Sequence, residues 1–146
     1  MSLNRTTKTF VLFVIADFLL FFILEVIFWM EPFVHNLLLD WFNNPPAELS
    51  YEMHALVLKK LFINQGFYNL FFAIGGIVGF YQLKKNLIVA STLLLFVCFA
   101  GTGAGLVLAI TSNAYLLAFL QAVPAMIAFY KIYPFYKLIA KNKQLK

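Results

Sequence analysis

The sequence predicts an all-α membrane protein, a four-transmembrane-helix up-down bundle with short amphipathic helices in its outer loop. Three observations lead there. Hydrophobic residues make up 63% of the 146 residues and charged residues 12%, against roughly 45–50% and 25% in soluble domains. A soluble chain of this size buries only about two-thirds of its surface, too little to hide 18 phenylalanines. Four stretches also reach the roughly 20 mostly apolar residues that a spanning helix needs. Finally, the basic residues gather at one set of span ends. Lipid as solvent excludes secreted disulfide scaffolds, nucleic-acid binders, disordered regulators and cytosolic enzymes. The whole chain, residues 1–146, is expected to be one domain.

The first span is expected over residues 10–30. Arg5 and Lys8 precede it as in a signal peptide, but the run exceeds the 7–15 residues of a signal core. It also carries Asp17 and Glu25, and no small-residue cleavage site follows. An uncleaved span is the expectation. Residues 31–60 form the long loop. Pro32 suits a first helical turn. Phe33, Leu37, Leu38, Trp41 and Phe42 then make an apolar stripe opposite Asn36, Asp40 and Asn43, which predicts a short helix lying in the interface with Trp41 as anchor. Asn43-Asn44-Pro45-Pro46 ends it. From Ala47 a second amphipathic helix sets Leu49, Met53 and Leu56 against Glu48, Glu52 and Lys59, and runs into the second span, residues 61–83. The third and fourth spans cover residues 87–110 and 115–134. Residues 84–86 and 111–114 are tight turns, so spans two, three and four pack as antiparallel neighbours. Pro124 predicts a kink in span four.

Orientation follows from charge. Arg5, Lys8, Lys84, Lys85, Lys137, Lys141, Lys143 and Lys146 fall on one side of a chain that crosses four times, and only Lys59 and Lys60 on the other. Both termini are therefore expected in the cytoplasm of a cell-membrane, multi-pass protein, with the long loop outside.

Polar residues inside the spans carry the functional information. A mid-span carboxylate costs about 2.5–3.5 kcal/mol on insertion scales and faces protein or water. Asp17 lies near the middle of span one and Glu25 nearer its outer end. Eight residues separate them, about 80° around a helix, so both can face one bundle interior. Asn64, Gln65 and Asn69 of span two and Gln121 of span four fall in the same half of the membrane as Glu25. These six residues are the candidate ligand-binding or proton-coupling set. The amides also fit a plain role as interhelical hydrogen-bond partners. Gly101-x-x-x-Gly105 permits close helix approach or leaves space for a ligand, and Gly76 continues the Gln65–Asn69 face. Cys98 is the lone cysteine and reads as a packed thiol. His35 and His54 lack tight ligand spacing, so no metal is expected. No phosphate loop, nucleophile elbow or paired-cysteine motif is present, and no cofactor is expected.

Four blocks, Leu24-Glu25-x-x-Phe28-Trp29, Asn64-Gln65-Gly66-Phe67-Tyr68-Asn69, Ala100-Gly101 and Gln121-x-x-Pro124-Ala125, resemble in order and spacing the small bacterial integral membrane family known as domain of unknown function 1304. The resemblance runs from span one through span four and implies four transmembrane helices, but no activity. Two positions depart from the family's pattern. Asp17-Phe18 stands where members carry a histidine two turns before the acidic residue, and Leu70 stands where a glycine follows the asparagine.

Three functions remain open at this point. The first is binding or transport of a small lipophilic or amphipathic compound, or a lipid, through an outward-facing polar pocket. The second is a non-catalytic subunit or interaction protein in a homo-oligomer or larger membrane complex. The third is a membrane enzyme acting on a lipid-like substrate. The partners implied are the bilayer and such a ligand, not nucleic acid.

Overall fold

The computed structural model describes residues 2–42 and 48–144 of the protein. Its elements are α1 (Arg5–Phe22), continued by a π-helical turn (Ile23–Ile27), then α2 (Pro32–Phe42), α3 (Tyr51–Gln82), α4 (Leu87–Thr111) and α5 (Tyr115–Gln144). Three helices start at side-chain caps. Asn4 accepts from the Thr7 amide, Ser50 from Met53 and Asn86 from Val89, each satisfying one of the donors a helix start leaves orphaned.

Four helices, Arg5–Ile27, Tyr51–Gln82, Leu87–Thr111 and Tyr115–Asn142, are long and apolar enough to cross a membrane, and the chain is a multi-pass membrane protein. The 23 residues of the first extend about 35 Å at 1.5 Å per residue, enough for a hydrocarbon core of about 30 Å. This first helix runs over residues 5–27, and the expected span covers 10–30. It stops at Phe28, whose φ of −106° and ψ of 6° leave helical geometry. Trp29 then turns inward and donates its indole N–H to the Ala55 carbonyl at 2.8 Å.

The second crossing is one continuous helix of 32 residues from Tyr51, as the uninterrupted pattern ahead of residue 61 predicts. The expected break at 43–46 lies outside the described residues, but residues 48–50 are not helical, so the helix expected from Ala47 begins only at Tyr51, after the Ser50 cap. The fourth crossing passes through both Pro124 and Pro134 and continues as helix to Gln144, so Pro134 does not end it. A proline removes one backbone bond, and a helix bedded on neighbours tolerates that.

Two amphipathic helices pack only part of their apolar surface against the bundle. On α2 the buried residues are Val34, His35, Leu38 and Leu39, while Phe33 is 80% exposed. Of the stripe predicted to lie in the interface, Phe33 is thus exposed and Leu38 is packed inward. At the start of α3, Ala55 is buried and Met53 and Leu56 are exposed. Membrane and core are equally apolar, so hydropathy alone does not choose between them.

Around the bundle the order is α1, α3, α4, α5, with α1 touching α3 and α5 on its flanks and α4 closing the ring between them. The tight turns at 83–86 and 112–114 enforce antiparallel neighbours. The end away from α2 is filled by Val11, Ile15, Leu94, Cys98, Ala128 and Ile132. Val14, Phe18, Ala73, Val97 and Ala125 fill the middle. At the α2 end, Trp29, Val34, Leu38, Leu39 and Ala55 pack with Phe62 and Leu117, so α2 lies across the bundle like a cover. Glycines let the backbones close. A Cβ on Gly105 would stand 2.6 Å from the Ala122 nitrogen of α5, one on Gly101 3.1 Å from the Ala125 Cβ, and one on Gly76 2.6 Å from the Ile15 side chain.

Candidate functional site

Between the middle of the core and the α2 cover the packing gives way to a chamber of about 370 Å³. All four crossings line it: Phe21 and Glu25 from the first, Leu61, Phe62, Gln65 and Asn69 from α3, Ala104, Leu108 and Thr111 from α4, and Gln121 from α5.

The π-helical turn places Glu25. In it the Phe28 amide bonds the Ile23 carbonyl five residues back, at 3.1 Å. Such a turn widens the helix and is frequent at functional positions. Glu25 sits at its centre, only 3% exposed. Opposite it, α3 carries Gly66. A Cβ there would collide with the Val26 side chain and would lie 3.1 Å from the Glu25 Cβ and 3.4 Å from its Oε2. The missing side chain of Gly66 is what admits the carboxylate between the helices. One turn along, Asn69 donates its Nδ2–H to Glu25 Oε2 at 2.7 Å. Asn69 is itself 5% exposed, so the bond joins two buried side chains.

The other polar walls are open-handed. Gln121 is 7% exposed and has no hydrogen-bond partner among the described residues, yet none of its atoms is a sealed, unsatisfied group. Its amide therefore looks into the chamber. Gln65 lines the chamber from its exposed rim. The Thr111 hydroxyl is already committed to the Val107 carbonyl at 2.8 Å. Phe62 forms part of the wall and carries the Trp29 ring stacked on it, with centroids 3.7 Å apart.

Four of the six candidate residues thus converge: Glu25, Gln65, Asn69 and Gln121. Asn64 does not join them. It is exposed and lies outside the chamber lining. Asp17 does not share the interior with Glu25 either. It is half-buried in a separate cleft of about 190 Å³ between α1 and α5, walled by Phe13, Leu20, Leu24, Leu117 and Leu120. Phe21 borders both spaces and divides them. Among the described residues Asp17 has no hydrogen-bond or ion-pair partner, and no three His, Cys, Asp or Glu side chains gather as a metal site. The His35 ring donates from Nδ1 to the Trp29 carbonyl at 3.2 Å and so fastens α2 to the chain before it.

Sequence reasoning assigned no role to Gly66, Phe21 or Phe62. Gly66 carried a usable signal, a glycine directly beside Gln65 inside an apolar helix. The two phenylalanines carried none, being two of 18.

Comparison with known proteins agrees with the resemblance drawn from these residues. A family model described as "Protein of unknown function (DUF1304)" matches residues 12–133, from the first turns of α1 to the last third of α5. No curated protein and no solved structure matches the chain.

Proposed function

Since the chain belongs to the DUF1304 family, whose function is unknown, its activity has to be inferred from the chamber, and we propose that it binds a small lipophilic or amphipathic molecule there as the basis of transport or carriage. The observation that carries this reading is the environment of Glu25. A carboxyl 3% exposed, with a single hydrogen-bond partner among the described residues, lines this space. Buried ionisable groups are normally paired or fully hydrogen-bonded, and one bond does not satisfy two carboxylate oxygens. Gln65 and Gln121 line the same space with amides that have no partner among the described residues. A purely structural subunit has no use for such an arrangement, since polar residues that only glue helices bond one another.

The bias of basic residues toward the termini and the α3–α4 turn supports cytoplasmic termini. The chamber then lies in the outer half of a cell membrane, beneath α2. The protein would hold its ligand near the outer surface, with Glu25 as charge partner or proton carrier.

Native mass spectrometry of the gently extracted, full-length protein tests this. A retained small molecule or lipid that disappears in Gln121→Leu, with the fold intact by circular dichroism, is the expected result. Retention of the same adduct in that variant, or a bare chain from every extraction, would refute it.

A further inference from the structure

We infer that the chamber selects a single-tailed amphiphile with an ammonium head, such as a long-chain primary amine, and admits it sideways from the lipid between α3 and α4. This rests on the reading of the chamber as a binding site and specifies what it takes.

The head group follows from the lining. Among the described residues that line it, Glu25 is the one acid, and there is no Lys, Arg or His. One carboxylate oxygen accepts from Asn69, while the other and the amide oxygens of Gln65 and Gln121 remain free to accept. An ammonium group brings three donors and no acceptor and supplies the cation that a buried carboxylate lacks. A phosphate or carboxylate head would bring a like charge against Glu25 in a low-dielectric space, and no basic side chain stands by to offset it.

The route follows from where the chamber is closed. Toward α2 its wall is Phe62 under the stacked Trp29 ring, which packs in turn with Leu39 in one buried cluster. Toward the core the bundle is packed, with Phe18 stacked on Phe72, centroids 5.3 Å apart, and Val97 buried in the same cluster as Phe18. On the first crossing and α5 its walls are buried residues, Phe21, Glu25 and Gln121. Its exposed lining is Leu61 and Gln65 of α3 and Ala104 and Thr111 of α4. These two helices are tied at their far ends by the turn at 83–86, where Gly79 lets Leu93 and Leu94 approach within 3.1 Å of a Cβ position. No glycine brings them together at the chamber's level, because Gly66 is used against the first crossing instead. The gap is edged by Leu61, Ala104 and Leu108, which suits an alkyl tail lying out into lipid while the head reaches Glu25.

Dodecylamine, dodecanol and dodecyl phosphate are the probes, titrated into the full chain in nanodiscs of zwitterionic lipid. Trp29 is the reporter, in a Trp41→Phe background, since it stacks on the chamber wall. We expect a saturable Trp29 response to dodecylamine at a Kd at least tenfold below that for dodecyl phosphate. Glu25→Gln should raise the dodecylamine Kd at least tenfold and leave dodecanol unchanged. Ala104→Phe, in the gap, should weaken dodecylamine and dodecanol together. Equal dodecylamine binding by the wild type and Glu25→Gln would overturn the ammonium assignment and leave the chamber a binding site. Unchanged binding in Ala104→Phe would overturn the lateral route. Absence of saturable binding by any probe would overturn both this inference and the reading beneath it. Should Glu25→Gln fail to fold, the wild-type preference for amine over phosphate decides the head group alone.

Discussion

Gly103 and Gly105 lie two residues apart on α4, and the same substitution at each isolates one energy. A Cβ at Gly103 meets nothing within 4 Å, whereas one at Gly105 would sit 2.6 Å from the Ala122 nitrogen, 2.7 Å from the Ala118 oxygen and 2.7 Å from the Ala122 Cβ. Two of those three neighbours are α5 backbone, which cannot swing aside as a side-chain tip does. To restore ordinary contact near 3.4 Å, α5 must retreat by most of an ångström along the interface. Replacing Gly by Ala in a helix interior gains about 0.8–1 kcal/mol of intrinsic propensity, and this gain is common to both sites. Overpacking costs about 1–3 kcal/mol and falls on Gly105→Ala alone. The difference between the two variants is therefore the packing cost, which corresponds to a Tm gap of roughly 2–12 °C at about 2–4 °C per kcal/mol. Intrinsic-fluorescence melts of both proteins in one detergent measure it, with Gly103→Ala at or above the wild-type Tm and Gly105→Ala below it. Equal melting temperatures would show that α4 and α5 do not approach as closely as Gly105 implies.

Three further outcomes are expected. Glu25→Leu removes the acceptor of the buried Asn69 amide and should cost about 1–3 kcal/mol in the same melts, while Glu25→Gln keeps an acceptor and should melt within a few degrees of wild type; the reverse order would contradict the Glu25–Asn69 bond. Asp17→Leu replaces a half-buried carboxyl that has no partner among the described residues and should raise stability by at most about 3–4 kcal/mol, the difference between insertion costs near 2.5–3.5 kcal/mol for Asp and about −0.5 for Leu; a loss of stability would mean that Asp17 has a partner in the membrane. A cysteine placed at Ser50, in a background where Cys98 is serine, should react with an impermeant maleimide on intact cells and one at Gln144 should not; the opposite pattern would invert the proposed topology.

Crossings and turns were legible in the sequence because lipid imposes a one-dimensional requirement. A spanning segment must be long, apolar and helical, and such segments announce themselves at Leu87–Thr111 as plainly as in any window of hydropathy. Glu25 was legible for the same reason, since a carboxyl within a span is costly wherever it points. Asn69, the amide that bonds it, was legible on the same ground, as a polar side chain inside span two at the depth of Glu25. What could not be read was direction. In water, apolar means inward, but in a bilayer both sides of a helix face apolar surroundings. Hydropathy therefore gave no means of telling exposed Phe33 from Leu39, 1% exposed on the same helix, or exposed Asn64 from its neighbour Gln65 on the chamber rim. The separation of Asp17 from Glu25 was decided in three dimensions as well. A regular helix lets the two carboxyls share a face, but the π-helical turn at Ile23–Ile27 breaks that regularity, and its widened backbone settles against the bare Cα of Gly66. Length, charge and hydropathy set how many times this chain crosses the membrane. Which side chains meet inside it depends on helix phase and on where two backbones can touch, and both are settled only when the helices pack.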